Sequence, residues 1–205
     1  MEGLDKKYIF IEEHISLSIG IKKKILGDQI LLDKIYEASN ICLNAYRNNN
    51  KIILAGNGGS AADAQHIAAE FVSRFRFDRP GLPSLALSTD TSMITAIGND
   101  YGYENIFSRQ LQANGKDGDV LIAISTSGNS DNIIKAIEEA KSMGIFSIGL
   151  TNIDGGQLND KCDLCINVPY HETAIVQESH IMIGHIICGY VEDVFFQDLK
   201  KNWMQ

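Results

Sequence analysis

The sequence lacks long apolar runs and any concentration of positive charge. No apolar stretch among its 205 residues is long enough to cross a bilayer. The first seven residues are mixed in charge, and no apolar core with a small-residue cleavage site follows them, so we expect no secretory signal and a cytoplasmic protein. The net charge is −8 and no basic stripe is present, so nothing favours a nucleic-acid partner electrostatically.

Cysteine is also scarce, with four residues in the chain. Cys42 and Cys188 lie in apolar helical patterns and are interpreted as small core residues. Cys162 and Cys165 form a lone C-x-x-C, the spacing of a redox pair or of half a zinc site. Because no second C-x-x-C exists and Cys165 opens an apolar run, we favour a structural role for this pair.

The length and the ordinary composition, 44% apolar and 21% charged, suit one α/β domain. Residues 1–50 show apolar positions every three or four residues and predict two helices, broken near Gly20 or Gly27. These helices could cover the sheet of their own chain or pack on another subunit. The α/β core is expected to span residues 51–200.

Five short, continuous apolar runs then predict strands that are buried on both faces. They are Lys51–Gly56, Ser84–Ser88, Val120–Ile124, Phe146–Leu150 and Cys165–Val168. Helical patterns alternate with them: Ala61–Phe75, Ser92–Ile97 with Ile106–Ala113, Asn132–Met143, a short piece at Gly156–Asn159, and Thr173–Leu199. This alternation predicts a flavodoxin-like three-layer sandwich with a five-stranded parallel sheet, preceded by the N-terminal helices.

Two polar loops each join a predicted strand to a helix. The glycine loop is Asn57-Gly58-Gly59-Ser60, and the serine cup is Ser125 to Ser130, with four hydroxyls and one glycine in six residues. Ligands of open parallel sheets bind at the carboxyl ends of the strands, and helix N-termini attract anions. A single helix cap needs one such residue, so the serine cup predicts a phosphate site.

Nucleotide binding is a weaker interpretation of the same loops. Gly56 to Ala61 fits the G-x-G-x-x-A form of the dinucleotide fingerprint, but the acidic residue expected after the next strand would be Asp90, which is too distant. No G-K-[ST] occurs, which excludes a P-loop.

Histidine, glutamate and glutamine in two helices are candidates for metal binding or acid–base chemistry. His66 and Glu70 are four residues apart and share a helix face, as a surface pair would also do. The last helix carries Gln177, His180 and His185, where a buried or interface histidine is the alternative. Gln177 and His185 lie about 12 Å apart along a straight helix, so spacing alone favours His180 as the partner of Gln177.

Taken together, these motifs resemble the phosphoheptose isomerases, a group of sugar-isomerase-domain (SIS) enzymes. The residues that carry the resemblance are Ala55–Ser60, His66 with Glu70, Arg79–Gly81, Gly98–Asp100, Ser125–Ser130 and Gln177 with His185. The resemblance covers about residues 30–195. It implies conversion of sedoheptulose 7-phosphate to D-glycero-D-manno-heptose 7-phosphate through an enediol, which supplies ADP- or GDP-heptose synthesis.

The resemblance further implies a homotetramer with active sites at subunit interfaces and one zinc ion per subunit. The implied zinc ligands are His66, Glu70, Gln177 and His185, with His180 kept as a rival to His185. The implied acid–base pair is Glu70 and His185, although a zinc-bound carboxylate is a weaker base. The implied substrate contacts are Asn57, Gly58, Gly59, Glu70, Asn99, Asp100, Ser125, Thr126, Ser127, Ser130 and Gln177.

A non-catalytic relative is the main competing hypothesis, either a phosphosugar-sensing regulator or an adaptor that binds the replication initiator. Such proteins share the fold and often the serine cup. An adaptor would not require the complete set of histidine, glutamate and glutamine. A sensor usually carries a DNA-binding domain, and the N-terminal 50 residues here lack a basic recognition face.

Overall fold

The computed structural model describes the backbone of residues 2–203 and the side chains of residues 8–200. The strands are β1 (Ile52–Gly56), β2 (Ser84–Ala86), β3 (Val120–Ile124), β4 (Phe146–Thr151) and β5 (Leu164–Asn167). The helices are α1 (Glu2–Gly27), α2 (Gln29–Arg47), α3 (Gly59–Val72), α4 (Thr91–Tyr101), α5 (Ile106–Asn114), α6 (Asp131–Ser142), α7 (Leu158–Lys161), α8 (Thr173–Phe195) and α9 (Gln197–Trp203). A single 3₁₀ turn, Tyr103–Asn105, precedes α5.

The five strands form one parallel sheet in the order β2-β1-β3-β4-β5. In the central strand pair, Leu54 of β1 lies opposite Ile122 of β3. This order is that of flavodoxin-like folds, so the predicted fold class is confirmed. All carboxyl ends of the strands therefore meet at one edge of the sheet.

Successive side chains of each strand point to opposite faces of the sheet, so the strands contribute to two apolar layers. Ile52 and Leu54 face a layer built from α1, α2, α3 and α8, whereas Ile53 and Ala55 face the layer of α4 to α7. The N-terminal helices take part in the first layer, because Ile25 of α1 and most of one face of α2 are buried there. Of the two, α2 thus covers the sheet of its own chain, and α1 packs on α2 and α8.

Several predicted boundaries shift. The N-terminal break falls at Gly27, where Asp28 caps α2 by accepting a hydrogen bond from the Leu31 amide at 3.1 Å, and α1 runs unbroken through Gly20. The last predicted helix ends at Phe195 instead of Leu199, and α9 follows it. In the part of the chain that the structure describes, no helix is long and apolar enough to cross a membrane.

The C-x-x-C pair packs as core. Burial raises the pKa of Cys162 to about 12 and that of Cys165 to about 11, so both are thiols at neutral pH. A Cβ added at Gly149 of β4 would lie 2.8 Å from the Cys162 sulfur, which shows how closely the thiols pack beneath the strand. Cys42 and Cys188 are fully buried, as predicted.

Candidate active site

The glycine loop and the serine cup lie side by side, because β1 and β3 are neighbours in the sheet and both end at its carboxyl edge. The glycine loop leads into α3 and the serine cup leads into α6. Neither helix has a side-chain cap at its N-terminus. The first N–H groups of two helices are therefore available to an anionic ligand at one edge.

The hydroxyls of the serine cup converge on one another. The Oγ atoms of Ser125 and Ser130 are 3.0 Å apart, and the Oγ of Ser127 lies 3.5 Å from that of Ser125. Ser125 is almost fully buried. Hydroxyls can both donate and accept, so this cluster can rearrange its hydrogens to donate to the oxygens of a phosphate group.

A second loop braces the serine cup from the side of β4. We call this segment, Asn152 to Gln157, the glycine strap. A Cβ at Gly128 would overlap the carbonyl oxygen of Gly155, and one at Gly156 would lie 2.7 Å from the carbonyl oxygen of Ser127. The Oδ1 atom of Asn129 also accepts a hydrogen bond from the Gln157 amide at 3.1 Å. Backbone thus packs on backbone, which requires glycine.

The glycine loop is held by side chains rather than by backbone. The amides of Asn57 and Asn132 exchange two hydrogen bonds, and the Tyr103 hydroxyl donates to Asn57. On the other side, the Gln177 amide packs on the loop: a Cβ at Gly59 would lie 2.6 Å from the Gln177 Nε2 atom. That Nε2 atom donates to the Ser60 hydroxyl at 3.5 Å.

Three potential metal ligands meet between α3 and α8. The Nε2 atom of His66 lies 2.9 Å from that of His185 and 3.3 Å from Oε1 of Glu70, and one donor atom from each residue lies within 4.8 Å of the others. The helices approach closely here because Gly184 leaves room for Ile67. Two imidazole nitrogens and a carboxylate oxygen are a donor set that zinc prefers, so these residues fit the implied ion.

His180 and His185 have different environments on α8. His180 is fully buried, its Nε2 atom is 3.1 Å from the Thr151 carbonyl oxygen, and burial lowers its pKa to about 4. His185 instead faces His66. The geometry therefore places His185, and not His180, in the histidine–glutamate cluster.

Gln177 and the α4 residues make other contacts. Gln177 contacts Ser60, which is six residues before His66 or about 9 Å along α3. Asn99 and Asp100 are exposed at the end of α4, where Asn99 donates to Asp100 at 2.8 Å. Neither of these two hydrogen-bonds to either loop among the described side chains. Their predicted contacts to substrate, and a metal contact from Gln177, stay predictions.

Comparison with known proteins identifies the family. The SIS domain family matches residues 25–152. The phosphoheptose isomerase of Aneurinibacillus thermoaerophilus is 62% identical over 92% of this chain and 96% of its own length. Phosphoheptose isomerase 2 of Campylobacter jejuni is 59% identical over 96% of each chain. This chain belongs to the SIS-domain phosphoheptose isomerase family.

Solved structures agree with this assignment. The phosphoheptose isomerase of Neisseria gonorrhoeae is 41% identical, with a TM-score of 0.84 over 93% of this chain and 99% of its own. That of Francisella tularensis is 35% identical, with a TM-score of 0.86 over 94% and 100% of the two chains. The NanR protein of Vibrio vulnificus is 14% identical, with a TM-score of 0.62, and shares the fold alone. The adaptor or regulator hypothesis is therefore not favoured over the isomerase.

The structure adds residues of this family member that the sequence did not single out. Asp63 lies one turn before His66 on α3, and burial raises its pKa to about 6 although His66 acts to lower it. Asn132 and Tyr103 reach the glycine loop from α6 and from the 3₁₀ turn. The one available signal was the position of Asn132 in the first turn of α6, two residues after the serine cup.

Proposed function

We propose that this chain is an aldose–ketose isomerase that converts sedoheptulose 7-phosphate into D-glycero-D-manno-heptose 7-phosphate, a precursor of ADP- and GDP-heptose. The observation that carries the proposal is the arrangement of one edge of the sheet. There a cup of hydroxyl groups, which suits a phosphate, lies at the same edge as the start of α3, the helix that with α8 holds His66, Glu70 and His185 together. The names of the relatives, which align over nearly the whole chain, support the seven-carbon substrate.

The reaction moves one proton between adjacent carbons and one between their oxygens. A base must take the proton from carbon 1, and the carbonyl oxygen on carbon 2 must gain a proton to give the enediol. The oxygen on carbon 1 then loses its proton while carbon 2 receives one. We assign these transfers to Glu70 and His185, which lie together and can each hold a proton.

The serine cup has a different task in this proposal. Its hydroxyls and the free N–H groups at the start of α6 hold the phosphate, which fixes the other end of the sugar. Anchoring the remote phosphate positions the reacting carbons at Glu70 and His185 without requiring a net positive protein.

We also propose one zinc ion per subunit, held by His66, Glu70 and His185, with Gln177 as the fourth ligand. The close approach of the first three donors supports their part. The part of Gln177 rests on the family resemblance alone. When bound, zinc would polarise a substrate oxygen and so favour proton loss from the neighbouring carbon.

Metal analysis of four single alanine variants tests the ligand set. We expect His66→Ala and His185→Ala to lose zinc and His180→Ala to keep it, and Gln177→Ala to bind zinc more weakly. Retained zinc in His185→Ala together with loss in His180→Ala would overturn the assignment.

We further propose that four copies assemble with the active sites at their interfaces. The support is an apolar stripe on α1 that its own chain leaves exposed, including Phe10, Ile11, Ile15 and Ile19. A stripe of this kind on a helix otherwise covered on one side is typical of a subunit contact. Light scattering at micromolar concentration should give the mass of a tetramer, and Ile15→Lys should dissociate it. A monomeric wild-type chain would contradict this proposal.

The direct test of function is to incubate the metal-loaded protein with sedoheptulose 7-phosphate and follow the appearance of an aldoheptose phosphate by NMR. No conversion with zinc present would favour the adaptor hypothesis instead. The four free cysteine thiols support the cytoplasm as the compartment of the reaction.

A further inference from the structure

Asn132 lies in the first turn of α6, directly after the serine cup, and is almost completely buried. Its carboxamide is paired with that of Asn57 in the glycine loop. The Nδ2 atom of Asn57 donates to Oδ1 of Asn132 at 2.8 Å, and the Nδ2 atom of Asn132 donates to Oδ1 of Asn57 at 2.9 Å. This reciprocal pair is a side-chain link between the helix of one ligand loop and the other ligand loop.

The pairing determines which hydrogen-bonding positions of Asn57 remain. A carboxamide oxygen accepts two hydrogen bonds, and the nitrogen donates two. The Oδ1 atom of Asn57 accepts from Asn132 and, at 3.1 Å, from the Tyr103 hydroxyl. The Nδ2 atom gives one N–H to Asn132. Asn57 therefore keeps a single N–H and can act towards a ligand only as a donor.

Asn57 lines a cavity that reaches the serine cup. Asn57, Tyr103 and Asn132 line one cavity of about 340 Å³ together with Ser130, the last residue of the cup. Two carboxylates, Glu104 and Asp131, also line it. An oxygen of a phosphorylated sugar bound in this cavity could accept a hydrogen bond from Asn57, whereas the two carboxylates could only accept hydrogen bonds from its hydroxyls.

We propose that Asn132 is a positioning residue of this site: it holds Asn57 as a hydrogen-bond donor to an oxygen of the sugar, while Tyr103 fills the last acceptor position of Asn57. In this proposal Asn132 acts through Asn57 and makes no hydrogen bond of its own to the sugar. It acts by fixing the Asn57 amide and the spacing between the two loops. The inference rests on the proposed isomerase function and names a specificity element of the same site.

A double-mutant cycle tests whether Asn132 acts through Asn57. We expect Asn132→Ala and Asn57→Ala each to lower kcat/KM by about 10- to 100-fold, as loss of one or two buried hydrogen bonds should. The double variant should be no more than about 3-fold worse than Asn57→Ala, because residues that act as one unit are not additive. Tyr103→Phe should lower kcat/KM by only about 2- to 5-fold, since its bond is exposed.

Inhibition by inorganic phosphate shows whether Asn132 positions Asn57 or instead maintains the shape of the serine cup. Because Asn132 holds Asn57 and not the phosphate, the inhibition constant of phosphate should stay within about 2-fold of wild type in Asn132→Ala. If the wild-type chain does not turn the sugar over, calorimetric titration with sedoheptulose 7-phosphate on the same variants gives the binding loss instead. A wild-type chain that binds but does not isomerise would thus refute the proposed function, and the Asn132 inference would still be decided.

Asn50 supplies the matched control. It is another buried asparagine, and its amide donates to the Asp117 carbonyl oxygen at 2.8 Å at the opposite edge of the sheet. Asn50→Ala should lower the melting temperature about as much as Asn132→Ala and leave kcat/KM within about 2-fold. The inference is wrong if Asn132→Ala keeps wild-type kcat/KM, if the two alanine effects add, or if phosphate inhibition weakens in parallel with kcat/KM.

Discussion

The glycine loop and the serine cup are built from similar residue types but have different surroundings. Both place glycine and hydroxyl residues between a buried strand and a helix. In the serine cup, Gly128 has a φ of 68° and backbone of the glycine strap packed against its Cα. In the glycine loop, Gly58 has a similar φ of 55° and open space where a Cβ would point.

This contrast indicates that the two loops bind different parts of the sugar phosphate. The serine cup is held on one side by backbone contacts that leave no room for adjustment, which suits a fixed phosphate anchor. The glycine loop is held by the side chains of Asn132 and Gln177, and its helix carries His66 and Glu70. Its open space leaves room for the part of the sugar that changes during the reaction.

The largest effect is expected from Glu70→Gln, which removes chemistry on the side of the glycine loop and leaves the cup intact. We expect kcat to fall by about 10²- to 10⁴-fold, because an acid–base group is lost, while the inhibition constant of phosphate stays unchanged. Steady-state kinetics with zinc measured in the same samples checks this. Glu37→Gln, on the exposed face of α2, is the control and should resemble wild type. A variant that keeps a tenth of wild-type kcat would exclude Glu70 as the acid–base group.

Single alanine substitutions at three glycines test directly whether the serine cup is packed more tightly than the glycine loop. Gly128→Ala adds a Cβ that overlaps the Gly155 carbonyl oxygen, so we expect KM and the phosphate inhibition constant to rise by about 100-fold. A Cβ at Gly58 would meet no neighbouring atom, so Gly58→Ala has only the cost of its backbone angles, φ 55° and ψ −121°, about 1 to 3 kcal/mol, and should weaken phosphate binding far less.

Gly144→Ala controls for backbone strain away from the site. Gly144 has a φ of 70°, and an added Cβ would overlap the Asp117 carboxylate at the amino edge of the sheet. It should lower the melting temperature and leave KM unchanged. Equal effects of Gly128→Ala and Gly58→Ala on phosphate inhibition would remove the distinction between the loops.

Acidification should lower the free energy of unfolding through His180, which lies next to the glycine strap. Its Nε2 atom bonds the carbonyl of Thr151, the residue before the glycine strap, and burial lowers its pKa from 6.5 to about 4. Between these values the unfolded chain binds a proton that the folded chain does not. The contribution of neutral His180, about 3 kcal/mol, is present above pH 6.5 and is lost as the pH falls towards 4.

Chemical denaturation between pH 7 and pH 4 measures this loss. The slope of unfolding free energy against pH should be smaller in His180→Gln, whose side chain does not titrate. Identical slopes in the two proteins would show that His180 does not cause the loss.

The smallest effect is expected from Glu178→Gln, next to Gln177. Glu178 accepts hydrogen bonds from Ser18 and Lys22 of α1 and lies 3.2 Å from His14, and the Ser18 hydroxyl is the main cause that lowers its pKa. Its side chain is 39% exposed, so solvent screening should limit the change in unfolding free energy to below about 1 kcal/mol. Thermal unfolding and kcat/KM check this. A loss of kcat/KM above about 5-fold would mean that α1 supports the glycine loop.

Much of the fold could be predicted because its signals are local. Continuous apolar runs such as Val120–Ile124 mark strands covered on both faces, and this strand has the predicted bounds. Helix ends were less certain, since the end of α8 at Phe195 depends on packing and not on a glycine or proline. The His66–Glu70 pair was also predictable, because four residues make one turn of a helix.

The sequence by itself determined the fold class, the two loops at one edge of the sheet and the list of candidate groups. Only the tertiary structure decided which of them meet. His180 and His185 have the same chemistry and lie on one helix, but α3 and β4 pack against different sides of α8, so one histidine joins His66 and the other is buried against Thr151. The pairing of Asn57 with Asn132 likewise joins residues 75 positions apart. Such contacts depend on how helices and strands pack, so they cannot be predicted from local patterns in the sequence.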